Sequence, residues 1–298
     1  MSLRVRVLEP LRVVVRRGPV VEAVHLVHAV AVRDSAVVAS AGEAGLVCYF
    51  RSSAKPFQAL PVARAREDLD DRDLAIASSS HLARPDQLEA VQALLAKAPA
   101  SEDELECGVE DGSRLRHNCS GKHAGMLALC RARGWPSRGY RLPDHPLQLA
   151  LVAEIAAAAQ VDARTLRPAV DGCGVVTFAL TIERMAHAYS RLERIEGGRR
   201  VAAATRAHPE LVRGPGEPDT VLMERLPGWT AKGGAEGLFC ACSPDGLGLA
   251  LKVADGASRA VAPALSAFLA SLGHPVHELR RVLLENSRGE PVGEIVSD

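Results

Sequence analysis

The chain has 298 residues, 47% of them hydrophobic, so it can bury a substantial core as one large domain or as two lobes around a cleft. Lys plus Arg and Asp plus Glu balance at 36 each, and no basic stretch is interleaved with aromatic residues, which argues against a nucleic-acid partner. Arginines interrupt the valine-rich residues 1–30, so we expect neither a signal peptide nor a membrane span. The seven cysteines are scattered and odd in number, unlike a secreted disulfide framework. These features predict a cytoplasmic protein with reduced cysteines and no membrane association.

The N-terminal part of the chain alternates apolar and polar residues as strands do, with turn signals at residues 18–19 and 33–35. The predicted strands cover residues 11–15, 20–24, 28–32 and 36–39. Strand character returns at 237–242 and 248–253, and the Ser-Pro-Asp-Gly sequence at 243–246 joins these two strands as a hairpin turn. Both ends of the chain therefore contribute strands.

From about Ala54 the apolar period becomes helical. Helices are predicted, in chain order, at 86–97, 120–133, 146–160, 181–192, 199–208 and 257–272. Strands from the two ends of a chain commonly pair into one antiparallel sheet when helices lie between them. We predict an α+β fold in a single catalytic domain spanning residues 1–298, with β segments at about 1–53 and 230–298 and a mainly helical region at about 54–229.

Ser52 and Lys55 lie three residues apart where the first sheet ends and a helix begins, so their side chains share one helical face. This is the Ser-x-x-Lys arrangement, in which a deprotonated lysine takes the proton of a serine nucleophile. Pro56 is compatible with the helix because it falls within the first turn. The motif also occurs by chance, so a capped helix start with a solvated lysine is the alternative.

Enzymes with this arrangement also carry a lysine-bearing strand and a further serine that faces the nucleophile. Lys232 leads through glycines into the returning strand, and those glycines would let a substrate lie close to the backbone. Ser80 ends an apolar stretch just before the helix at 86–97, where a hydroxyl serves equally well as a helix cap. A catalytic role and a capping role therefore both stay open for Ser80.

The densest polar cluster of the chain, residues 117–125, opens a helix and places Cys119 and Lys122 on one face. Cys173 lies in a glycine-rich turn from which its thiolate can reach that face. Two thiolates suit zinc, whereas a lysine must lose its proton before it binds a metal. From the residues alone, two buried cysteines are favoured over a zinc site.

Five blocks of the sequence together resemble the rhizobial-type L-asparaginase family, also called asparaginase II. They are Arg-Ser-Ser-Ala-Lys-Pro-Phe-Gln from residue 51, Ser-His at 80–81, His-Asn-Cys-Ser-Gly-Lys-His-Ala-Gly from 117, Asp-Gly-Cys-Gly from 171 and Ala-Lys-Gly-Gly-Ala-Glu-Gly from 231. Their order and context match from about residue 10 to 270. The resemblance implies a fold similar to serine β-lactamases and glutaminases, a homodimer, and an enzyme that hydrolyses L-asparagine to L-aspartate and ammonia.

The resemblance also implies roles for individual residues. Ser52 with Lys55 matches one serine-lysine pair of the family, and Ser80 matches the serine of a second pair, with Lys232 as its lysine. The residues that match the substrate pocket are Arg51, His81, Asp171, Gly234 and Ala235.

A zinc site bordering the substrate pocket is a further implication of the resemblance, matched by Cys119, Lys122 and Cys173, with one zinc ion per chain. The zinc is not expected to activate the nucleophile. The chain departs from the family pattern at two places. Leu-Ala-Arg at residues 82–84 replaces a small residue, a glycine and an acid, and Val176 replaces a proline. The first change bears on recognition of the substrate ammonium group, and the second on loop stiffness.

The mechanism implied for such an enzyme starts with attack of Ser52 on the side-chain amide carbon of asparagine, which releases ammonia and leaves an aspartyl ester for water to hydrolyse. The oxyanion needs two donors, for which the Ser52 N–H and the N–H of Gly234 or Ala235 are candidates. A lysine base must lose about 3 pKa units, or about 4 kcal/mol, to be neutral near pH 7. We expect Lys55 and Lys232 to depress each other's pKa as two cations in one pocket.

Three other functions stay open at the level of sequence. A glutaminase would use the same chemistry on a longer side chain. A β-lactamase or D,D-peptidase would use the same serine and lysine, but those enzymes act outside the cytoplasm. A non-catalytic zinc-binding or thiol-sensing module would use only Cys119 and Cys173.

Overall fold

The structure, a computed structural model, describes residues 5–7 and 9–298. Its strands in that range are β1 (Val5–Val7), β2 (Leu11–Arg17), β3 (Val20–Arg33), β4 (Ala36–Ala41), β5 (Val47–Tyr49), β6 (Arg167–Val170), β7 (Val176–Thr181), β8 (Thr230–Gly234), β9 (Leu238–Cys242), β10 (Gly248–Val253), β11 (Arg281–Glu285) and β12 (Pro291–Ser297). Its α-helices are α1 (Lys55–Gln58), α2 (Leu60–Ala65), α3 (Asp71–Ala77), α4 (Pro85–Lys97), α5 (Ser120–Arg133), α6 (Pro146–Ala159), α7 (Ile182–Arg191), α8 (Gly198–Ala207), α9 (Pro209–Val212), α10 (Pro218–Arg225) and α11 (Val261–Ser271).

The chain divides into two compact units. The first unit, which we call the sheet unit, comprises the chain up to Cys48 together with Thr181–Ser190 and Val221–Asp298. The second unit, which we call the helical unit, comprises Tyr49–Leu180 and Arg191–Thr220.

The sheet unit contains one large sheet in which strands from both ends of the chain are neighbours. The strand order is β11-β12-β2-β3-β10-β9-β8, with every adjacent pair antiparallel, while β4 pairs with β3 and β1 runs parallel to β4. The central pairing joins β3 to β10, with Ala31 opposite Leu249. The predicted α+β fold with an antiparallel sheet built from both chain ends is therefore confirmed.

Strand β3 is a single strand of 14 residues, whereas the sequence predicted two shorter ones at 20–24 and 28–32. The residues between them continue the strand because no glycine or proline interrupts it. The polar residue in this stretch, His25, is buried, and its Nδ1 lies 2.6 Å from Asp255 Oδ2, which satisfies it without breaking the pairing.

The core of the sheet unit lies between the sheet and α11, which packs on β2, β10, β11 and β12. The apolar face of α11 includes Leu265, Phe268 and Leu269, all buried. Gly248 lets β10 approach α7, since a Cβ at this position would lie 2.0 Å from the carbonyl oxygen of Ala186. Strands β11 and β12 were not predicted from the sequence, because they are half-exposed and lack a continuous apolar face.

The helical unit confirms the helices predicted at 86–97, 120–133, 146–160 and 199–208, each within about a residue of its observed bounds. It also contains the antiparallel β6–β7 hairpin, which the sequence did not predict. Helix α3 was missed as well. It begins with a capping box, in which Asp70 Oδ1 accepts from the Asp73 N–H (3.0 Å) and Asp73 Oδ2 accepts from the Asp70 N–H (2.9 Å).

Two glycines bring helix α5 close to helix α3 within the helical unit. A Cβ on Gly121 would lie 2.2 Å from the carbonyl oxygen of Ile76, and a Cβ on Gly125 would lie 2.9 Å from Ala77 Cβ. Any larger residue at Gly121 would therefore push the two helices apart. The close approach places the segment that follows α3 beside the start of α5.

Within the described ranges, no helix is both long and apolar enough to cross a membrane.

Candidate active site

Lys55 lies at the centre of a polar cluster inside the helical unit, with 1% of its surface exposed. Its Nζ donates to the Ser79 carbonyl oxygen (2.5 Å), to Ser80 Oγ (2.8 Å) and to Cys119 Sγ (3.3 Å). These contacts join three segments, from α1, from the end of α3 and from the start of α5. The lysine that contacts Ser80 in the structure is thus Lys55, whereas the sequence assigned Lys232 to Ser80.

Ser52 lies in a 3₁₀ turn, Arg51–Ala54, that runs directly into α1. The Lys55 N–H donates to the Ser52 carbonyl oxygen, as expected of a 3₁₀ turn, in which side chains three residues apart lie on the same side. Ser52 is half-buried, in contrast to the fully buried Ser53 beside it. A substrate can therefore reach Ser52 more readily than Ser53.

Arg51 precedes Ser52 in a left-handed conformation, with φ of 47°, which is costly for a residue with a Cβ. Two contacts hold it there. Its N–H donates to Thr177 Oγ1 (3.2 Å), and its Nε donates to Asp171 Oδ1 (2.8 Å) in a half-buried ion pair. The β6–β7 hairpin thus fixes the backbone at the start of the Ser52 turn, and the predicted neighbours Arg51 and Asp171 are in contact.

The serines that follow α3 have different partners. Ser78 Oγ donates to the Leu74 carbonyl oxygen and so serves the end of the helix. Ser80 is held by its backbone instead, because its N–H donates to the Val212 carbonyl and its carbonyl accepts from Arg213. The residue at the N-cap of α4 is Arg84, so Ser80 does not cap that helix, and its hydroxyl accepts from Lys55 instead.

His81 was predicted to bind substrate, but its ring is buried and both of its nitrogens have partners inside the protein. Nε2 lies 2.8 Å from Ser120 Oγ, and Nδ1 accepts from the Ala83 N–H (3.1 Å). Burial lowers the pKa of His81 to about 3, and the nearby charge of Lys55 acts in the same direction. The neutral ring therefore positions residues 81–83 against α5 and has no free polar atom for a substrate.

The cysteine-lysine cluster expected from the sequence is assembled in the helical unit. Lys122 Nζ lies 2.9 Å from Cys173 Sγ, and Cys119 Sγ accepts from Lys55 Nζ (3.3 Å). The side chains of Cys119, Lys122 and Cys173 are all buried. The turn between β6 and β7 carries Cys173 across to the face of α5, where Cys119 and Lys122 lie side by side.

The charges in this cluster are strongly coupled. The hydrogen bond with Cys119 outweighs burial and, together with the charge of Lys122, lowers the pKa of Cys173 well below its usual range. The same hydrogen bond and burial raise the pKa of Cys119. Burial opposes a charge on Lys122, but the neighbouring sulfurs outweigh it and raise the pKa of its ammonium group. The shifts therefore favour a thiolate at Cys173 and disfavour one at Cys119.

The donor set fits zinc in its chemistry. Within residues 5–7 and 9–298, no group of three or more His, Cys, Asp or Glu side chains is arranged to hold a metal ion. The two sulfurs of Cys119 and Cys173 are both buried, however, and Lys122 Nζ contacts the Cys173 sulfur. Zinc favours thiolates, but Lys122 would have to lose its proton before its amine could be a third donor.

Residues 13–297 match the family described as L-asparaginase II. This chain belongs to the L-asparaginase II family. No curated protein sequence matches it. Among solved structures, a β-lactamase from Mycobacterium bovis is 15% identical over 83% of this chain and 95% of that one, with a TM-score of 0.39. The native form of Mglu is 13% identical over 84% of this chain and 66% of that one, with a TM-score of 0.38.

The remaining predicted residues of this L-asparaginase II family member lie in the sheet unit. Lys232 is buried in β8, and its Nζ donates to the Gly233 carbonyl oxygen (2.8 Å). Gly234 ends that strand, and Ala235 is exposed in the turn that follows. Their roles stay predictions of the family resemblance.

The departure from the family pattern after His81 has a visible backbone consequence. Ala83 stands where the family usually has glycine, and its φ is 55°, in the left-handed region that favours glycine. The N–H of Ala83 bonded to His81 Nδ1 helps to hold this conformation. Arg84, in place of an acid, pairs with Asp86 (3.0 Å) and is the N-cap of helix α4. The loop therefore carries a positive charge at a position where the family pattern has a negative one.

Lysine is rare in this family member, a signal that sequence reasoning overlooked. Only five of its 36 basic residues are lysines, and three of them, Lys55, Lys122 and Lys232, have 3% or less of their surface exposed. Arginine cannot deprotonate in a protein, so only lysine can supply a neutral amine as a base or a metal ligand. The five lysines of the chain therefore form a short set of candidates that includes Lys55, Lys122 and Lys232.

Proposed function

We propose that this protein is an amidohydrolase that hydrolyses L-asparagine to L-aspartate and ammonia. The observation that carries the proposal is the buried contact of Lys55 Nζ with Ser80 Oγ, because Lys55 lies three residues after Ser52 in a member of the L-asparaginase II family. A buried lysine held by hydroxyl, carbonyl and thiol groups is suited to proton transfer rather than to surface solvation.

In the proposed reaction, Ser52 Oγ attacks the side-chain amide carbon of asparagine while its proton passes to a neutral lysine amine. The tetrahedral intermediate then collapses as the lysine ammonium returns the proton to the amide nitrogen, and ammonia leaves. Water attacks the aspartyl ester, its proton passes to the lysine, and Ser52 is regenerated. Lys55 is the proposed base, and the Ser80 hydroxyl is its nearest proton-carrying partner.

The Ser52 N–H is the proposed first donor to the oxyanion, and an N–H from Gly234 or Ala235 stays the predicted second one. Arg51 and Asp171 are the proposed contacts for the charged groups of the amino acid substrate. The Arg51 side chain is half-buried and the Asp171 side chain is nearly buried, and the ion pair holds both in place. Little side-chain entropy therefore remains to be lost when substrate binds.

We also propose that Cys119, Lys122 and Cys173 bind one zinc ion. Zinc bound there would neutralise the two thiolates and tie α5 to the β6–β7 turn. The zinc is not proposed to activate the nucleophile. Lys55 contacts Cys119, so this cluster and the Ser80 contact share one hydrogen-bonded set of side chains.

A homodimer is a further expectation of the family resemblance, and a cytoplasmic location is an expectation of the sequence composition and cysteine pattern. Sedimentation velocity over a range of protein concentrations would measure the first, and fractionation of expressing cells would measure the second.

A second candidate function is a zinc-binding or thiol-sensing module without catalysis, which the buried Cys119, Lys122 and Cys173 cluster favours by itself. Such a protein would bind zinc but release no ammonia. A glutaminase or a β-lactamase would instead keep the serine chemistry and change the substrate.

An ammonia-release assay with asparagine and glutamine, beside hydrolysis of a chromogenic cephalosporin, separates these functions. We expect release from asparagine by the wild-type protein and its loss in Ser52→Ala. Ser78→Ala is the matched control, because its hydroxyl serves only the end of α3 in the contacts described above. A protein that folds, binds zinc and acts on none of the three substrates would contradict the proposal.

A further inference from the structure

Gln87 lies on helix α4 and was not singled out by sequence reasoning. Its side chain is fully buried, with 0% of its surface exposed. Its Oε1 accepts from the N–H groups of Leu82 (2.9 Å) and Arg84 (3.2 Å). Its Nε2 donates to the carbonyl oxygens of Glu210 (2.8 Å) and Arg213 (2.9 Å). A primary amide has two N–H donors and one oxygen with two lone pairs, so this side chain uses its full hydrogen-bonding capacity inside the protein.

The orientation of the Gln87 amide is determined by its partners. Backbone N–H groups need an acceptor and carbonyl oxygens need a donor, so exchanging the amide oxygen and nitrogen would leave all four hydrogen bonds unmade. A capping box at the start of α4 accounts for the bond from the Arg84 N–H, since Gln87 is the third residue of that helix. It does not account for the two bonds that Nε2 donates, which reach residues 123 and 126 positions further along the chain.

Those two donated bonds hold helix α9 (Pro209–Val212) and Arg213 against the segment that carries Ser80. The Ser80 N–H donates to the Val212 carbonyl oxygen (2.8 Å), and the Ser80 carbonyl oxygen accepts from Arg213 Nη1 (2.9 Å). Arg213 is in turn held by an ion pair with Glu217 (3.1 Å). The backbone of Ser80 is therefore fixed at both its N–H and its carbonyl group by α9 and the residue that follows it.

The same glutamine also holds the loop that follows Ser80, through the N–H groups at residues 82 and 84. Gln87 thus joins the two segments that meet at Ser80. The Ser80 Oγ lies 2.8 Å from Lys55 Nζ. The position of this hydroxyl group relative to the amine therefore depends on a side chain whose own hydrogen bonds go to neither of them.

We propose that Gln87 is a positioning residue for amide hydrolysis, which sets Ser80 against Lys55 by holding the loop at 82–84 on one side and helix α9 on the other. The inference rests on the proposed function. Gln87 has no hydrogen-bonding group left for substrate, so it acts through Ser80 and is not itself a catalytic residue. A buried polar network in which every donor and acceptor is paired holds its segments rigidly in one arrangement.

The test is a double-mutant cycle on kcat for ammonia release from asparagine, measured well below the unfolding temperature of each variant. Gln87→Glu keeps both accepted bonds and removes both donated ones. It should lower kcat about 10-fold, because a displacement of about 1 Å can cost up to about 100-fold. KM should stay within about twofold, since substrate binding is not touched. Added to Ser80→Ala, the same substitution should change kcat by less than about twofold, since the hydroxyl group that it positions is gone.

Gln92→Glu is the matched control, because Gln92 is exposed on the same helix, and it should leave kcat unchanged. Denaturant unfolding checks the fold of each variant. If Gln87→Glu does not fold, Arg213→Met replaces it in the cycle with the same expected results, because it removes the donor to the Ser80 carbonyl from a half-buried side chain.

The outcomes separate this inference from the proposed function. A wild-type protein that releases no ammonia from asparagine overturns the proposed function and the inference with it. In an active wild type, an unchanged kcat in Gln87→Glu overturns the inference alone. An equal loss of kcat with and without the Ser80 hydroxyl also overturns it, because a general loss of stability acts in either background.

Discussion

Lys55 Nζ lies 2.8 Å from Ser80 Oγ, and both side chains are buried in the helical unit. Ser80 therefore contacts the Lys55 amine, which is the group proposed to deprotonate Ser52. Two hydroxyl groups therefore compete for the role of nucleophile, and they differ in exposure, since Ser52 is half-buried and Ser80 has 5% of its surface exposed.

Ser52→Ala should lower kcat for ammonia release by more than about 100-fold, because a covalent nucleophile is lost. Ser80→Ala should lower kcat less, since the lysine keeps its contacts with the Ser79 carbonyl and Cys119. Mass spectrometry of rapidly quenched enzyme and asparagine should locate the aspartyl ester on Ser52. An ester found on Ser80 would reverse the assignment.

Lys55→Met should abolish ammonia release while zinc binding persists, because the amine and not the cysteine cluster is removed. Lys252→Met is the matched control. Among the described residues, its Nζ donates to the carbonyl oxygens of Glu236 and Val253, so its loss should leave kcat/KM unchanged.

The activity of the wild type should depend on pH, with kcat/KM rising to an optimum of about 8 to 9.5 as the lysine base loses its proton. A profile that falls over this range would exclude a lysine base.

Metal analysis of protein purified without chelators should find about one zinc per chain, because two thiolates and an amine suit this ion. Cys173→Ser should lose the zinc. Cys130→Ser is the control, since Cys130 lies on α5, the helix of Lys122, and is also buried, but burial raises its pKa to about 11, which disfavours a thiolate. A metal-free wild type with full activity would support the alternative of two packed cysteines.

Gly121→Ala should destabilise the protein by about 3 kcal/mol, the upper end of the usual cost of overpacking, because the new Cβ would meet the backbone oxygen of Ile76. Activity should fall with stability, since Ser80 lies just after α3 and Cys119 lies at the start of α5. Gly45→Ala, where a Cβ would meet nothing within 4 Å, is the control. Denaturant unfolding measures both variants. Equal stability would show that the two helices can separate without cost.

His81 should make the stability of the protein depend on pH. An unfolded histidine binds a proton near pH 6.5, whereas burial lowers the pKa of folded His81 to about 3. The unfolded state therefore gains protons first, so the free energy of unfolding falls as pH drops below 6.5, by up to about 1.4 kcal/mol per unit for this group. His81→Gln, which can keep the contact with Ser120, should flatten that slope between pH 6.5 and 5.5. A slope unchanged from wild type would mean that His81 takes up a proton in the folded protein.

The sequence by itself determined the α+β class, the bounds of α4, α5, α6 and α8, and the segments that carry the candidate chemistry. These features depend on residues close along the chain, where helical and strand periods can be read directly. Among the strands that were missed, β6, β11 and β12 mark the limit of that reading. Much of their surface is exposed, so their stability comes from pairing with a neighbour and not from a local apolar pattern.

Only the tertiary structure decided which side chains meet. Lys55 contacts Ser80 and Cys119 because Gly121 lets α5 lie directly on α3, a distance set by packing between residues far apart in the sequence. The same packing turned His81 from a predicted substrate contact into a buried support for its loop. Motif spacing specifies which groups are present, whereas the partner of each polar group depends on which buried donors and acceptors remain once the helices have packed.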